Sequence, residues 1–172
     1  MISLIACVGK NNEIGKNGDL CWRLKADLKT FKRYTIGHTV VMGYNTYKSL
    51  GFKPLADRRN IVITRERFND DSVEQIVPRT LEENGVVHNT WQDFLKEMKK
   101  SEEEFWIIGG GQLYRHTIRD ADRIILTKVP FEDSDADTFF PDFSVEDYDI
   151  VEARSLGAGV ETIDYRRKDV DR

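Results

Sequence analysis

The sequence predicts an α/β fold with a wound, mostly parallel mixed sheet, helices on both faces and an antiparallel hairpin at the C-terminal edge. The clearest indication is the segment from Phe105 to Tyr114, where four bulky apolar residues precede three glycines and a helical pattern. A short continuous apolar run is typical of a strand buried on both faces of a parallel sheet. The same order of strand, glycine and helix recurs from Thr39, which indicates strands joined by helical crossovers. Near the C-terminus, Gly157 to Gly159 separate two strand-like segments, as in a hairpin.

The glycine turn, Gly109 to Gly111, predicts an anion-binding site. It has no side chains to keep a ligand away, and the first N–H groups of the following helix carry the positive end of the helix dipole. Both properties suit a phosphate. The spacing matches neither GxGxxG nor GxxxxGK(S/T), so it indicates neither a standard dinucleotide fingerprint nor a P-loop. The alternative is that the glycines only let the helix and the strand pack closely.

The other elements are predicted from hydrophobic periodicity and turn residues. The predicted strands are Ile2–Val8, Thr39–Met42, Ile61–Thr64, Val86–His88, Phe105–Ile108, Arg123–Val129, Tyr148–Ser155 and Val160–Arg167. The predicted helices are Lys25–Thr35, Asn45–Leu50 and Trp91–Lys100, the last capped by Thr90. Residues 66–84 are polar and show no clear period, so they give no prediction.

The segment from Gly9 to Leu24 is predicted to be a long loop, because it is rich in asparagine and glycine and has few periodic apolar residues. Loops of this length in a compact domain are usually functional or disordered. The apolar residues Ile14, Leu20 and Trp22 favour a loop that folds over something.

Helix Lys25–Thr35 places a carboxylate among aromatic residues. At about 100° per residue, Asp27 shares one face with Phe31 and Tyr34. One interpretation is that Asp27 caps the helix or favours its positive end, a common use of aspartate in a first turn. The other is that Asp27 is buried and needs a partner, because a stranded carboxylate is costly in an apolar site. A cationic or amidine-like edge of a ligand would serve as this partner.

Thr64 and Arg65 stand where the strand Ile61–Thr64 ends. In a wound sheet, ligands bind in the crevice outside the carboxyl ends of the strands. We therefore expect this hydroxyl and this guanidinium to face the ligand. The alternative is that Arg65 is an ordinary surface arginine.

Composition and charge restrict the class of protein. The chain has 172 residues, 40% of them hydrophobic, and no linker-like segment, which predicts one domain over residues 1–172. The net charge of -4 argues against a nucleic-acid partner, and no apolar run is long enough for a membrane span. Two cysteines and three scattered histidines indicate neither a disulfide framework nor a zinc site, and the reducing cytoplasm fits. A calcium loop at Asp133, Asp135 and Asp137 is rejected, because the required glycine and glutamate are missing.

Together, these residues resemble the dihydrofolate reductase family over nearly the whole chain. Each segment is short, and it is their occurrence in order and with similar spacing that makes the resemblance specific. The segments are Met1 to Ala6, Ile14-Gly15 with Trp22, Asp27-Leu28 with Phe31-Lys32, Val41-Met42-Gly43 with Thr46, Arg58 with Asn60-Ile61, Ile107 to Gly111 with Tyr114, and Asp137-Thr138 with Phe140-Pro141.

The resemblance implies an eight-stranded mixed sheet and an enzyme that reduces 7,8-dihydrofolate to 5,6,7,8-tetrahydrofolate with NADPH. A hydride would pass from the nicotinamide to pterin C6 while N5 gains a proton, in support of one-carbon and thymidylate metabolism. A monomer is expected, with these two small molecules as its partners and no metal. The catalytic group would consist of Asp27, which bonds the pterin, Thr127, which bonds Asp27, and the lid residues Leu20 and Trp22.

The resemblance also implies which residues bind each ligand, with Arg58 on the α-carboxylate of the glutamate tail. The position of Thr64 and Arg65 at the end of their strand predicts that these two bind the 2′-phosphate and give a preference for NADPH over NADH. The substrate would be held by Ile5, Asp27, Leu28, Phe31, Leu50, Arg58, Ile108, Tyr114 and Thr127. The cofactor would be held by Ala6, Cys7, Ile14, Gly15, Gly43, Asn45, Thr46, Thr64, Arg65, Ile108, Gly109, Gly110, Gly111, Gln112, Leu113 and Tyr114.

The sequence departs from the family pattern at four positions. Cys21 and Lys25 stand where prolines are usual, which puts the stiffness of the lid in question. Tyr44 and Gln112 stand where relatives often carry arginines near the adenosine end of the cofactor. Two alternatives remain: a related reductase on the same fold, such as the pyrimidine reductase of riboflavin synthesis, and a module that binds NADPH or folate without turnover.

Overall fold

A mixed sheet of eight strands forms the centre of the protein, and the computed structural model describes residues 1–169 apart from the side chains of residues 83, 87 and 88. The strands, in chain order, are β1 (Ile2–Val8), β2 (Glu13–Lys16), β3 (Asp19–Leu20), β4 (Thr39–Gly43), β5 (Arg59–Ile63), β6 (Glu74–Ile76), β7 (Thr80–Glu83), β8 (Val86–Asn89), β9 (Phe105–Gly109), β10 (Arg123–Lys128), β11 (Thr138–Phe139), β12 (Tyr148–Gly157) and β13 (Val160–Arg167). The α-helices are α1 (Lys25–Thr35), α2 (Tyr44–Ser49), α3 (Thr90–Lys100) and α4 (Gly111–Thr117), and two single 3₁₀ turns lie at Ile118–Asp120 and Val145–Asp147.

The strand order in the sheet is β12-β13-β10-β1-β9-β4-β5-β6. Neighbouring strands from β10 to β6 are parallel, whereas β13 is antiparallel to both β10 and β12. The predicted mostly parallel sheet with an antiparallel C-terminal hairpin is therefore confirmed.

The two faces of the sheet bury two separate apolar clusters. Successive residues of a strand point to opposite faces, so Leu4 lies in the larger cluster and Ile5 in the smaller one. Helices α3 and α4 supply residues such as Met98 to the larger cluster. Helix α2 contributes the fully buried Tyr47 to the smaller cluster, and Phe31 of α1 packs against it. Helices thus cover both faces, as predicted.

The structure corrects the prediction of a plain loop from Gly9 to Leu24. This segment contains β2 and β3, and with β11 they form a three-stranded antiparallel sheet. The two strands have only four and two residues, which is too short for a period of two to be visible in the sequence. The segment of residues 66–84, which gave no prediction, contains β6 and β7.

A second correction concerns the cap of α3. The helix begins at Thr90, and its N-cap is Asn89, whose side-chain oxygen accepts a hydrogen bond from the Gln92 N–H at 3.1 Å. The Thr90 hydroxyl instead donates to the Val77 carbonyl at 2.7 Å. Asparagine and threonine both suit an N-cap, so the sequence alone does not decide between neighbours.

The described residues contain neither a membrane-spanning helix nor a metal-binding cluster. None of the helices within residues 1–169 has the length and apolar character of a membrane span. No group of imidazole, thiol and carboxylate side chains in this part of the chain is arranged to hold a metal ion. Asp133 and Asp135 instead pair with the Lys16 ammonium at 3.6 and 3.4 Å.

Candidate active site

A crevice opens between β1 and β9 at the carboxyl ends of the parallel strands. The two strands pair only over Ile2 to Leu4, opposite Phe105 to Ile107. Beyond these residues, β1 continues along β10 and β9 continues along β4. The chain also crosses over β1 here, from β9 to β10, and such a change of direction is where α/β sheets bind ligands. Residues 5–8 and 108–110 therefore line the crevice.

Asp27 lies in the first turn of α1 beside this crevice. Burial raises the pKa of its carboxyl group, and a hydrogen bond with Thr127 opposes the increase. The N-cap of α1 is Leu24, with no side-chain cap bond, so Asp27 does not cap the helix. Asp27 still lies in the first turn, near the positive end of the helix, and its partly buried side chain with a hydrogen-bonding partner agrees with the second interpretation as well.

Thr127 connects Asp27 to the antiparallel edge of the sheet. The Thr127 and Thr162 hydroxyl oxygens are 3.1 Å apart, and both side chains are buried. Either hydroxyl can be the donor in this bond. Thr162 was missed by sequence reasoning, although the predicted hairpin strand contains it. Its role depends on the pairing of Thr127 with Thr162 across β10 and β13, and that register is not visible in a single sequence.

Cys7 and Tyr114 share the surroundings of Asp27. The Tyr114 hydroxyl donates to the Ile5 carbonyl at 2.7 Å. Burial raises the pKa values of both the Cys7 thiol and the Tyr114 phenol, and the charge of Asp27 raises them further. The Cys7 thiol, the Tyr114 phenol and the Asp27 carboxyl group are therefore close enough for the charge of one to shift the pKa of another. They lie at the point where β1 and β9 separate.

The expected substrate wall is brought together on one side of the crevice. Phe31, Leu50 and Ile108 are partly buried and pack against the smaller apolar cluster. Leu28, one residue after Asp27 on α1, is 50% exposed, so its side chain is available to a ligand. An apolar wall with one buried carboxyl group is typical of a pocket for a flat heterocycle with a polar edge.

Arg58 lies at the outer end of this wall. Its guanidinium is 5.8 Å from the centre of the Phe31 ring, and its Nε is buried with no hydrogen-bond partner among the described residues. Burial lowers the pKa of Arg58, and the charge of Asp57 opposes the decrease. A buried, unpaired guanidinium N–H is costly unless an acceptor joins it, so the site suits an incoming carboxylate.

The first two residues of the glycine turn lie against β4 and α2. A Cβ atom on Gly43 would be 3.6 Å from the Gly110 nitrogen, and one on Gly109 would be 3.2 Å from the Thr46 hydroxyl oxygen. Gly109 has a φ of 129°, a region open to glycine, and the peptide bond between Gly109 and Gly110 is cis. Gly109 is buried and Gly110 is partly exposed, so a ligand would approach the turn at Gly110, and the anion site stays a prediction.

The third glycine has a different role. A Cβ atom on Gly111 would lie 2.7 Å from the Thr138 methyl carbon of β11, so this position must be glycine for packing. For Gly111, the alternative interpretation of close packing is the one that the geometry supports. Leu113 and Ile14 are buried in the larger apolar cluster, so only their backbone atoms are available to a cofactor.

The lid, defined as residues 9–24, is held by several polar contacts. The Trp22 indole N–H donates to the Glu13 carbonyl at 2.9 Å. The Asn17 N–H donates to an Asp137 carboxylate oxygen at 2.9 Å, and the Asp137 N–H donates to the Gly15 carbonyl at 3.0 Å. Leu20, at the end of β3, is 54% exposed.

The outer end of the crevice contains the residues expected to bind the adenosine part of the cofactor. Thr64 is buried, and its hydroxyl donates to the Glu66 carbonyl at 2.7 Å, so it has only acceptor capacity left for a ligand. Arg65 is exposed, as are Asn45 and Gln112. The remaining predicted residue of the inner crevice, Ala6, is partly exposed.

Comparison with known proteins agrees with this geometry. The family model described as dihydrofolate reductase matches residues 1–172. The dihydrofolate reductase type 3 of Salmonella typhimurium is 40% identical over 83% of this chain and 80% of its own length. The dihydrofolate reductase of Haemophilus influenzae is 36% identical over 86% of this chain and 83% of its own length.

A solved structure extends the similarity to the fold. The dihydrofolate reductase from Enterococcus faecalis, solved in complex with NADP(H) and RAB-propyl, superimposes with a TM-score of 0.80 at 26% identity and covers 98% of this chain and 97% of its own. The family model matches the whole chain, and these two relatives are 36% and 40% identical over more than 80% of its length. The chain therefore belongs to the dihydrofolate reductase family.

Proposed function

We propose that the protein reduces 7,8-dihydrofolate to 5,6,7,8-tetrahydrofolate with NADPH. The observation that carries the proposal is Asp27, a largely buried carboxyl group with a raised pKa at the mouth of an apolar pocket. Such a group needs a ligand with adjacent N–H donors, and the 2-amino group and the N3 side of a pterin provide them. Membership of the family supports the same substrate.

Asp27 anchors the substrate and favours its protonated form. Hydrogen bonds from the pterin to Asp27 orient the ring, and the negative charge of the carboxylate stabilises the positive charge that accompanies protonation at N5. Thr127 fixes the rotamer of Asp27 through their hydrogen bond. Because no side chain among the described residues is an obvious donor to N5, the proton would come from a water molecule admitted past the lid.

The cofactor residues lie along one edge of the crevice. NADPH, when bound, supplies the hydride that is transferred to pterin C6. The backbone of Gly109 and Gly110 and the hydroxyl of Thr46, which lie close together, would offer donors to the pyrophosphate. Arg65 is exposed where β5 has just ended, and it offers a guanidinium to the 2′-phosphate.

The proposal includes the domain organisation, the localisation and the oligomeric state of the protein. Residues 1–172 act as one domain, and the protein works as a cytoplasmic monomer without a nucleic-acid partner. The acidic net charge of -4 supports the last point, since a polyanion would be repelled. Size-exclusion chromatography with light scattering should give a mass near the 20.0 kDa of one chain.

The decisive experiment follows the NADPH absorbance band while dihydrofolate is added. A steady decrease, with tetrahydrofolate as the product, supports the proposal. No decrease despite binding of both ligands would identify a module without turnover. A decrease with a ribosylated aminopyrimidine, and none with dihydrofolate, would identify the related pyrimidine reductase instead. Asp27→Asn serves as the control, since it should keep NADPH binding and lose most of the turnover.

A further inference from the structure

Four aromatic side chains form a cluster at the outer end of the crevice. We define this aromatic cluster as Tyr44, Tyr47, Phe52 and Phe68. Tyr47 is fully buried and forms its base, with ring centres 5.8 Å from Phe52 and 5.9 Å from Phe68. Tyr44 lies above it, 5.2 Å from Phe68 and 6.0 Å from Phe52. Tyr44 is 37% and Phe52 45% exposed, so large ring surfaces face the solvent.

The cluster is held rigidly from below. The Tyr47 hydroxyl oxygen lies 2.6 Å from an Asp70 carboxylate oxygen. The backbone of Phe68 is fixed on both sides by the Gln75 side chain, which accepts from its N–H at 3.0 Å and donates to its carbonyl at 2.9 Å. Phe52 has a φ of 56°, which is rare for a bulky residue and costs free energy. The fold thus maintains an unfavourable conformation while leaving the Phe52 ring half-exposed.

The position of Tyr44 follows from the register of the sheet. Tyr44 directly follows Gly43, whose Cβ position is 3.6 Å from the Gly110 nitrogen of the glycine turn. Gly43 pairs with Ile63 across β4 and β5, so Tyr44 and Thr64 leave neighbouring strands side by side, and Arg65 comes next. A dinucleotide with its pyrophosphate at Gly110 and its 2′-phosphate at Arg65 would have its adenosine beside Tyr44.

The two ring contacts of Tyr44 are tilted and T-shaped, with interplanar angles of 52° and 66°. Neither neighbouring ring is stacked in parallel on Tyr44, so parallel stacking on the Tyr44 ring is open to another flat group. A purine stacks well on an aromatic ring, and this contact needs neither charge nor a specific hydrogen bond. A phosphate, in contrast, gains little from a phenol ring.

We infer that Tyr44, supported by Phe52 and Phe68, is a stacking platform for the adenine base of the cofactor. The inference rests on the proposed function, because it takes NADPH as the ligand and the glycine turn as its pyrophosphate site. It makes the ring of Tyr44, and not its hydroxyl, a determinant of cofactor affinity. Affinity gained by stacking is independent of the 2′-phosphate and is little screened by salt.

The test measures binding of 5′-ADP and 2′,5′-ADP by calorimetry, without turnover. Tyr44→Ala should bind both nucleotides roughly 5- to 150-fold more weakly than the wild type, by the same factor for each, as expected for the loss of one stacked base. Tyr44→Phe should bind as the wild type does. Phe52→Asn, in which asparagine tolerates the positive φ, should show a smaller loss in the same direction.

Two controls exclude general damage. Ile150→Ala removes a side chain that is 60% exposed on β12, far along the sheet, and should change neither affinity. Dihydrofolate binding should be equal in wild type and Tyr44→Ala. Equal nucleotide binding by wild type and Tyr44→Ala, or an equal loss in Tyr44→Phe, or a parallel loss of dihydrofolate binding, would each overturn the inference.

The proposed function is tested separately by the NADPH absorbance assay on the wild type. If the wild type shows no turnover while the Tyr44 variants follow the expected pattern, the platform stands and the proposed reaction fails. If the wild type turns over dihydrofolate while Tyr44→Ala binds both nucleotides normally, the reaction stands and the platform fails.

Discussion

The two ends of the crevice differ in how they treat charge. At the inner end, with the substrate wall, Asp27 is buried deeply enough to raise its pKa, and the Nε of Arg58, at the far end of that wall, is buried with no partner among the described residues. At the outer end, Arg65 is exposed and the aromatic cluster supplies the other surface. Charges removed from water interact strongly, whereas exposed charges are screened. We therefore expect ligand binding at the inner end to depend on single polar groups, and ligand binding at the outer end to depend on several weak contacts.

The largest expected effect is at the inner end. Asp27→Asn should lower kcat/KM for dihydrofolate at neutral pH by about 10²- to 10⁴-fold, the usual range for a group that assists proton transfer. The loss should shrink at acidic pH, where the substrate arrives already protonated. Steady-state kinetics across this pH range check the prediction, with NADPH binding as the control. Wild-type rates in the variant at neutral pH would remove Asp27 from the mechanism.

The same substitution should stabilise the fold without ligands. A carboxyl group whose pKa is raised in the folded state binds a proton more tightly there than in the unfolded chain, so stability falls as pH rises through that pKa. Asp27→Asn lacks this penalty and should have a higher Tm than the wild type at pH 7. The difference should vanish below the unfolded value of 3.8. A lower Tm at pH 7 would mean that Asp27 contributes more through hydrogen bonds than its burial costs.

Arg58→Ala should have an intermediate effect. Loss of a charge-assisted hydrogen bond costs about 1 to 3 kcal/mol, or roughly 5- to 150-fold in folate affinity. Pterins without the glutamate tail should bind to variant and wild type alike. Calorimetry with folate and with the tailless pterin distinguishes a role of Arg58 in binding from a role in the structure. An equal loss of affinity for the tailless pterin would show that Arg58 is structural.

The smallest effect is expected at the outer end. Arg65→Ala should reduce the preference for NADPH over NADH by up to about fivefold, since exposed ion pairs contribute about 0 to 1 kcal/mol. Added salt should weaken the wild-type preference in the same way. The measurement is kcat/KM for the two cofactors. An unchanged ratio would show that another residue binds the 2′-phosphate, and a wild-type ratio near one would remove the preference itself.

Local patterns predicted the inner end well. The period of α1 correctly placed Asp27 beside Phe31, and the helix bounds Lys25–Thr35 agree with the structure. The buried strands were visible as apolar runs, because both faces of a parallel sheet are covered. The helical period and the apolar runs are each formed by residues only a few positions apart along the chain.

What sequence reasoning missed depends on distant partners. The role of Gly111 follows from contact with Thr138, and β2 becomes a strand by pairing with β11, more than 100 residues away. Thr64 was expected to offer a hydroxyl proton to the cofactor, and its donation to Glu66 arises from a turn in a segment without a readable period.

Cys7 has a consequence for the durability of the protein under oxidative stress. Peroxides and electrophiles react with the thiolate form of cysteine, and the raised pKa of Cys7 leaves almost none of it at neutral pH. Asp27, which repels a second negative charge, adds to this protection. We therefore expect this partly exposed thiol to be converted to sulfenic acid more slowly than an ordinary cysteine. Alkylating reagents should likewise label Cys7 slowly.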